Sequence, residues 1–310
     1  MHQHPAADLP PRSPLRDLSR PGGAQKEPSA PTGWRVLRVA SVWKRFGPAD
    51  GSAPWVLRDV TLDFEAGSFT CIVGPSGSGK TTLLNLLAGF DAPTRGVIAL
   101  DDVAIRGAAR DRAVIFQDVS NALFPWLTAV ENVEFGLRMQ ALPRPVCRER
   151  ALSHLALVGL DRDCEKFPYQ LSGGMKQRVQ IARALANDPS ILLMDEPFVA
   201  LDAITRRDLQ EELVRVWAKT RKTVVFITHD LIEALLLGTR VVVIGADGAI
   251  QGDFAVPLPT PRSPSDLEFM RLYDALQGIL ETVVRRAKRG AKVNDTDRSS
   301  VETSPKRRRP

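Results

Sequence analysis

The clearest chemistry in the chain lies in one short run. GPSGSGKT (74–81) fits the pattern G-x-x-x-x-G-K-[ST], whose glycines let successive backbone N–H groups turn toward phosphate oxygens. In that pattern Lys80 brings a point charge to the outer phosphates, Thr81 offers a hydroxyl to Mg²⁺, and the start of the next helix adds its dipole. The expected phosphate cradle is therefore Gly74, Pro75, Ser76, Gly77, Ser78, Gly79, Lys80, Thr81 and Thr82. A second run, ILLMDE (191–196), reads as a buried strand that places Asp195 and Glu196 at its C-terminal end, the edge at which open α/β sheets bind ligands. Asp195 there suits a Mg²⁺ held through water, and Glu196 suits a group that orients an attacking water or takes its proton. Taken alone, such a run is also how a strand ends in two solvated acids. The phosphate motif upstream is what turns the pair toward chemistry.

A third run, LSGGMKQR (171–178), opens a helix with a Ser-Gly-Gly turn. That makes a cluster of backbone donors on a positive helix end, and it is equally what a plain Ser N-cap looks like.

These groups need a parallel sheet to hold them. VLRVASVW (36–43) and VLRDVTLDFE (56–65) alternate as strands, and FTCIVG (69–74) is an apolar run that enters the glycine-rich turn. TTLLNLLAGF (81–90) follows as a helix, completing the start of an α/β unit. Residues from about 119 to 188 have helical periodicity, after which ILLMDE, TVVFITHD (223–230) and RVVVIG (240–245) return as buried strands. ADG (246–248) between two apolar runs predicts a hairpin turn. No internal repeat is present, so the sequence holds one nucleotide-binding unit.

Composition bounds the rest. Residues 1–33 are rich in Pro, Ala, Gly and Arg and predict a disordered tail. Residues 257–284 are amphipathic and predict a helical segment, and 285–310 read as a basic, disordered tail. That last stretch holds ten Lys/Arg and three Asp/Glu, a net of +7, against +6 for the whole chain, so residues 1–284 carry about −1. The body is thus not a basic surface for nucleic acid. Cys71, Cys147 and Cys164 form no CxxC pair, which fits a reducing compartment. No apolar run is long enough to cross a bilayer, and the N-terminus lacks the apolar core of a signal peptide.

In this order, GPSGSGKT, LSGGMKQR and ILLMDE resemble the motifs of the ABC transporter ATPase family, whose signature is close to LSGGQ. The resemblance covers about residues 34–255. It implies an α/β fold of the P-loop NTPase type: an ABC cassette at 34–256 with a RecA-like parallel-sheet core, an antiparallel β subdomain and a helical insertion at about 119–188. It implies ATP and Mg²⁺ as cofactors. Gln117 in AVIFQD resembles the loop glutamine that senses Mg²⁺ and the γ-phosphate, although a Gln after a strand is also a common polar strand end. His229 in FITHD resembles the switch histidine, or otherwise a capping or core residue. Asp202 in FVALD resembles the aspartate that communicates across a dimer. Phe46 in KRFG resembles the aromatic that stacks on adenine, with Trp43 as the substitute and a core aromatic as the plain reading. The implied catalytic set is Glu196, His229, Gln117 and Lys80. Thr81, Gln117 and Asp195 are the implied metal ligands, and Ser172, Gly173 and Gly174 face a second copy's nucleotide.

Two positions depart from the family pattern. Met175 stands where the signature usually has Gln, and Ala200 where Ser is frequent before Leu-Asp. Neither touches the implied catalytic set.

The implied partners are a second cassette in a head-to-tail homodimer, transmembrane permease subunits and an extracytoplasmic solute-binding protein, at the cytoplasmic face of the inner membrane. ALFPWLTAVENVEFGL (122–137) resembles the Leu-Pro-Trp segment of the nitrate, sulfonate and taurine import group. Pro125-Trp126 reads equally as a turn with a packing aromatic. The expectation is an ATPase subunit that powers uptake of a small anion. An exporter, a different solute, or a soluble non-transport ATPase of the same family are the alternatives.

Overall fold

Strands with one buried face need alternating apolar residues, and the first two elements of the computed structural model show the result. The structure describes residues 35–47, 53–118 and 122–299, with side chains through Arg285. The tail expected at 1–33 and the end of the one expected at 285–310 lie outside the described residues. β1 (Leu37–Arg45) runs antiparallel to β2 (Trp55–Phe64) and to β4 (Arg95–Leu100), and β5 (Val103–Ala104) extends this sheet in the order β2-β1-β4-β5. Leu37, Val39, Val42, Leu57, Val60, Leu62 and Phe64 form its buried face. RGVIAL and the two residues of β5 were not legible as strands, being short and only half-buried.

The second sheet contains β3 (Phe69–Val73), β6 (Arg112–Ile115), β7 (Ile191–Asp195), β8 (Thr223–Ile227), β9 (Arg240–Ile244) and β10 (Ile250–Ala255), in the order β10-β9-β3-β8-β7-β6. All neighbours are parallel except β9 and β10, which form the hairpin that ADG predicts. Its central strands are apolar throughout because both faces are covered. Ile72, Leu193, Val225 and Val242 point to α1 (Lys80–Ala88) and the antiparallel sheet, while Cys71, Val73, Leu192, Met194, Phe226 and Val241 point to a layer of helices. Successive residues thus serve different cores.

The predicted helical stretch contains α2 (Ala129–Arg138), α3 (Arg144–Leu157) and α4 (Gly173–Ala186), packed on one another, with no strand among its described residues. α2 starts with a capping box: Thr128 N–H donates to Glu131 Oε2 at 2.8 Å, and Glu131 N–H to Thr128 Oγ1 at 3.3 Å. Buried Asn132 accepts from Phe124 N–H at 2.8 Å and donates to the Phe124 and Leu127 carbonyls at 3.1 and 3.0 Å. These bonds hold Phe124-Pro125-Trp126-Leu127 as a turn. Trp126 itself is exposed, with its ring 5.7 Å from that of Phe124, so it is not a core aromatic.

After α5 (Ala203–Thr220) and α6 (Leu231–Leu237), the chain ends in α7 (Leu267–Ser299). Phe269, Leu276 and Val283 are buried at seven-residue spacing, which docks one face of the helix. The helix passes the boundary at 284 where the sequence predicts a disordered tail to begin. Arg, Ala and Lys are good helix formers and no proline intervenes before Pro305, so the charge run alone did not end it. No helix among the described residues is long and apolar enough to cross a membrane.

Candidate functional site

The C-terminal ends of β3, β7 and β8 lie side by side, and the glycine-rich loop, the two acids and the histidine leave from those ends. Gly74 follows β3 directly. A Cβ there would collide with the carbonyl of Ile244 in β9, so only glycine lets the loop start so close to the sheet. Gly77 and Gly79 have φ of 78° and 90°, a region open to glycine and costly for other residues. Ser78 is buried, and its Oγ has no hydrogen-bond partner among the described residues.

Lys80, the first residue of α1, is only 7% exposed. Its Nζ donates to the carbonyls of Gly74 at 2.9 Å and Pro75 at 3.0 Å. These bonds satisfy donors without neutralising the charge. Burial pushes the Lys80 pKa down, and the nearby carboxylates of Glu196 and Asp195 pull it back up.

Burial pushes the Asp195 pKa up. The nearby Thr81 hydroxyl and Lys80 oppose the shift, and Glu196 adds to it. Among the described residues no cluster of three or more His, Cys, Asp or Glu could hold a metal by itself. A hydroxyl and one carboxylate instead fit Mg²⁺, which keeps waters and takes phosphate oxygens alongside few protein ligands. With an orphaned buried hydroxyl at Ser78 and a buried ammonium beside it, the donor set suits a triphosphate with its cation.

Glu196 has φ of +44°, a strained conformation for a residue with a side chain. Its N–H donates to Ile227 O at 3.1 Å, which fixes the turn against β8. Two residues past Ile227 is His229, and its Nδ1 lies 3.1 Å from Glu196 Oε2. For that contact to be a hydrogen bond Nδ1 must carry the proton. His229 is exposed, so the pair faces out from the sheet edge. Gln117 is exposed two residues beyond Ile115, whose register partner is Met194, two residues before Glu196. It therefore leaves the same edge, one strand away.

The remaining predicted residues sit elsewhere. Ser172 caps α4, its Oγ accepting from Met175 N–H at 3.3 Å. Ser172 and Gly173 are exposed, while Gly174 is buried so tightly on α5 that a Cβ would collide with the Thr205 methyl. Among the described residues no hydrogen bond or ion pair joins this turn to GPSGSGKT. Met175 is half-buried against the helical core. Asp202 caps α5, accepting from Ile204 N–H at 3.1 Å and Thr205 N–H at 3.0 Å, and the Thr205 side chain, together with those bonds, holds its pKa down.

Phe46 is 54% exposed at the end of β1, with Lys44 Nζ 4.8 Å from its ring centre. Arg45, before it, pairs with Trp55, and the next residue, Val56, has its carbonyl 2.8 Å from where a Cβ on Gly79 would stand. Phe46 thus belongs to the same corner as the loop. Trp43 is half-buried and set edge-on to Trp55, 5.2 Å between rings, which leaves Phe46 as the more exposed aromatic among the described residues.

Sequence reasoning missed a buried polar group beside this site. Glu233, Gln210 and Arg206 line or adjoin a small cavity that also touches Glu196 and His229. The signal was a single Glu inside the apolar run LIEALLL.

Comparison with known proteins accords with this geometry. A family model described as "ABC transporter" matches residues 57–199. The chain is 45% identical to the taurine import ATP-binding protein of Sinorhizobium fredii over 76% of this chain and 90% of that protein. It is 42% identical to the nitrate import ATP-binding protein of a Synechocystis species over 72% of this chain and 87% of that protein. Among solved structures it is similar to a dimeric ATP-binding cassette in a post-hydrolysis state bound to ADP and Pi. That likeness has a TM-score of 0.62 and 35% identity, and covers 72% of this chain and all of the other.

Proposed function

From the premise that this chain belongs to the ABC transporter ATP-binding proteins, we propose that it binds and hydrolyses ATP to power import of a small anion through a separate permease. The observation that carries the chemistry is the single sheet edge on which Lys80, Thr81–Asp195 and Glu196–His229 converge. The backbone of 74–81 and Lys80 hold the phosphates, and burial of Lys80 strengthens its pull on them because little water screens it. Thr81 and Asp195, with Gln117 from the adjacent strand, would hold Mg²⁺, which when bound would neutralise charge on the phosphate oxygens. Glu196 orients a water for attack and takes its proton, while His229, held by Glu196, is presented to the γ-phosphate. Phe46 supplies the face on which adenine stacks.

A second copy completes the site. The exposed donors of Ser172 and Gly173 cover the partner's phosphates in a head-to-tail pair, and Asp202 signals across it. The family, and relatives named for taurine and nitrate import, support the importer reading, with an extracytoplasmic solute-binding protein as third component and the cassette peripheral on the cytoplasmic face.

ATP hydrolysis by the purified chain, alone and in liposomes with its permease and binding protein, tests both parts. Stimulation by taurine, an alkanesulfonate or nitrate is expected. Hydrolysis that answers to none of them would discard the anion, and no hydrolysis under any condition would discard the motor.

A further inference from the structure

Beside the Glu196–His229 pair lies a cavity of about 40 Å³, walled by Phe198, Arg206, Thr228 and Glu233 as well as by the pair itself, large enough for a water. Glu233, in the first turn of α6, is 6% exposed. Its Oε1 accepts from Gln210 Nε2 at 2.9 Å, and the Thr228 hydroxyl, which lines the same cavity, stands close enough to favour its charged form. Gln210 is itself buried. Arg206 lies near enough to act on Glu233 electrostatically, and its Nη2 donates to Leu201 O at 3.0 Å, while its Nε is buried without a partner among the described residues. Burial pushes the Glu233 pKa up, and Asp230 adds to the rise.

A carboxyl in such a place is costly, and a leucine would fill the helix face without that cost. What the carboxyl gains is its set of partners. Gln210 and Arg206 belong to α5, the helix that Asp202 caps and that follows the FVALD loop. Thr228 is the residue before His229. One buried group is therefore bonded to the helix behind the dimer-facing loop and shares a cavity wall with the backbone that carries the histidine.

We propose that Glu233 is a positioning residue: through Thr228 and Gln210 it fixes the His229 turn to α5 and so keeps the imidazole on Glu196. The inference rests on the ATPase reading above and adds to it a tie between the FVALD loop and the catalytic pair. Glu233 touches no reacting atom, so it acts only through His229.

The test is steady-state hydrolysis and fluorescent-nucleotide binding by the full chain and four variants: Glu233→Ala, Glu233→Gln, His229→Ala and the double His229→Ala/Glu233→Ala. Glu233→Ala is expected to lower kcat about tenfold or more, with nucleotide affinity held within about twofold. Glu233→Gln, which keeps an oxygen for Gln210, is expected to recover kcat to within about threefold of the natural chain. On the His229→Ala background the second substitution should cost nothing further, because the residue through which it acts is gone. Additive losses in the double variant, or a natural rate in Glu233→Ala, would overturn the proposal. Should Glu233→Ala fail to fold, Gln210→Ala carries the same cycle with a smaller loss. The unsubstituted chain is measured first: absence of hydrolysis there speaks against the ATPase reading, whereas hydrolysis with an additive cycle speaks against Glu233 alone.

Discussion

The two glycine-rich turns of this chain, GPSGSGKT and LSGGM, are alike in composition and opposite in surroundings. The first is enclosed. Gly74 lies under a β9 carbonyl, Gly79 against β2, Ser78 and Lys80 are buried, and two acids at the end of β7 complete its charge balance. The second anchors one residue, Gly174, against Thr205 and leaves Ser172 and Gly173 exposed. An enclosed turn can prepare chemistry by itself. An open one, with donors on a positive helix end, is complete only when something else covers it.

That contrast breaks first at the enclosed site. Glu196→Gln removes the proton acceptor, and hydrolysis is expected to fall about 10²- to 10⁴-fold while nucleotide affinity persists and a dimer accumulates with ATP. Single-turnover rates and gel filtration check this, and a natural rate would show that Glu196 is not the base. Next, Lys80→Ala deletes charge-assisted bonds and should weaken nucleotide binding itself by about 10- to 100-fold. Equilibrium titration with a fluorescent ATP analogue measures it. At the open turn, Gly174→Ala forces a methyl against Thr205 and is expected to cost about 1–3 kcal/mol of stability by overpacking. Calorimetry should show a lowered Tm. Nucleotide binding by the single chain should be untouched, and a matching loss of affinity would mean that the two turns already communicate within one copy.

The enclosed turn was legible in the sequence because its constraints are local: a buried strand, glycines at fixed offsets, a lysine and a helix. The strand ILLMD announced the acids in the same way, and the fully buried central strands could be read from unbroken apolar runs. Elements stabilised by distant partners were harder. RGVIAL pairs with β1 across more than fifty residues, and its half-exposed pattern gives no period to detect. Glu233 stands on a short helix whose other residues are apolar, and its partners on α5 resemble ordinary solvated helix polars until the fold buries them. The basic run from Arg285 predicts disorder, whereas α7 continues to Ser299, because Arg, Ala and Lys favour helix. The open turn was ambiguous for a physical reason, since its Ser172 does cap a helix within the chain while its outward donors answer to a second molecule.

One feature of the antiparallel sheet bears on which purine the chain accepts. Phe46 presents a ring with Lys44 near one face and no hydroxyl of its own. If the base lies on the open face, the platform offers stacking, which every base can use, and the ring supplies neither donor nor acceptor to read the base's edge. Affinity then comes from the triphosphate end, which ATP and GTP share. GTP is expected to be hydrolysed with a kcat/KM within about tenfold of that for ATP, and a competition assay between the two triphosphates would show it. Fuel choice in the cell would follow nucleotide abundance instead of recognition.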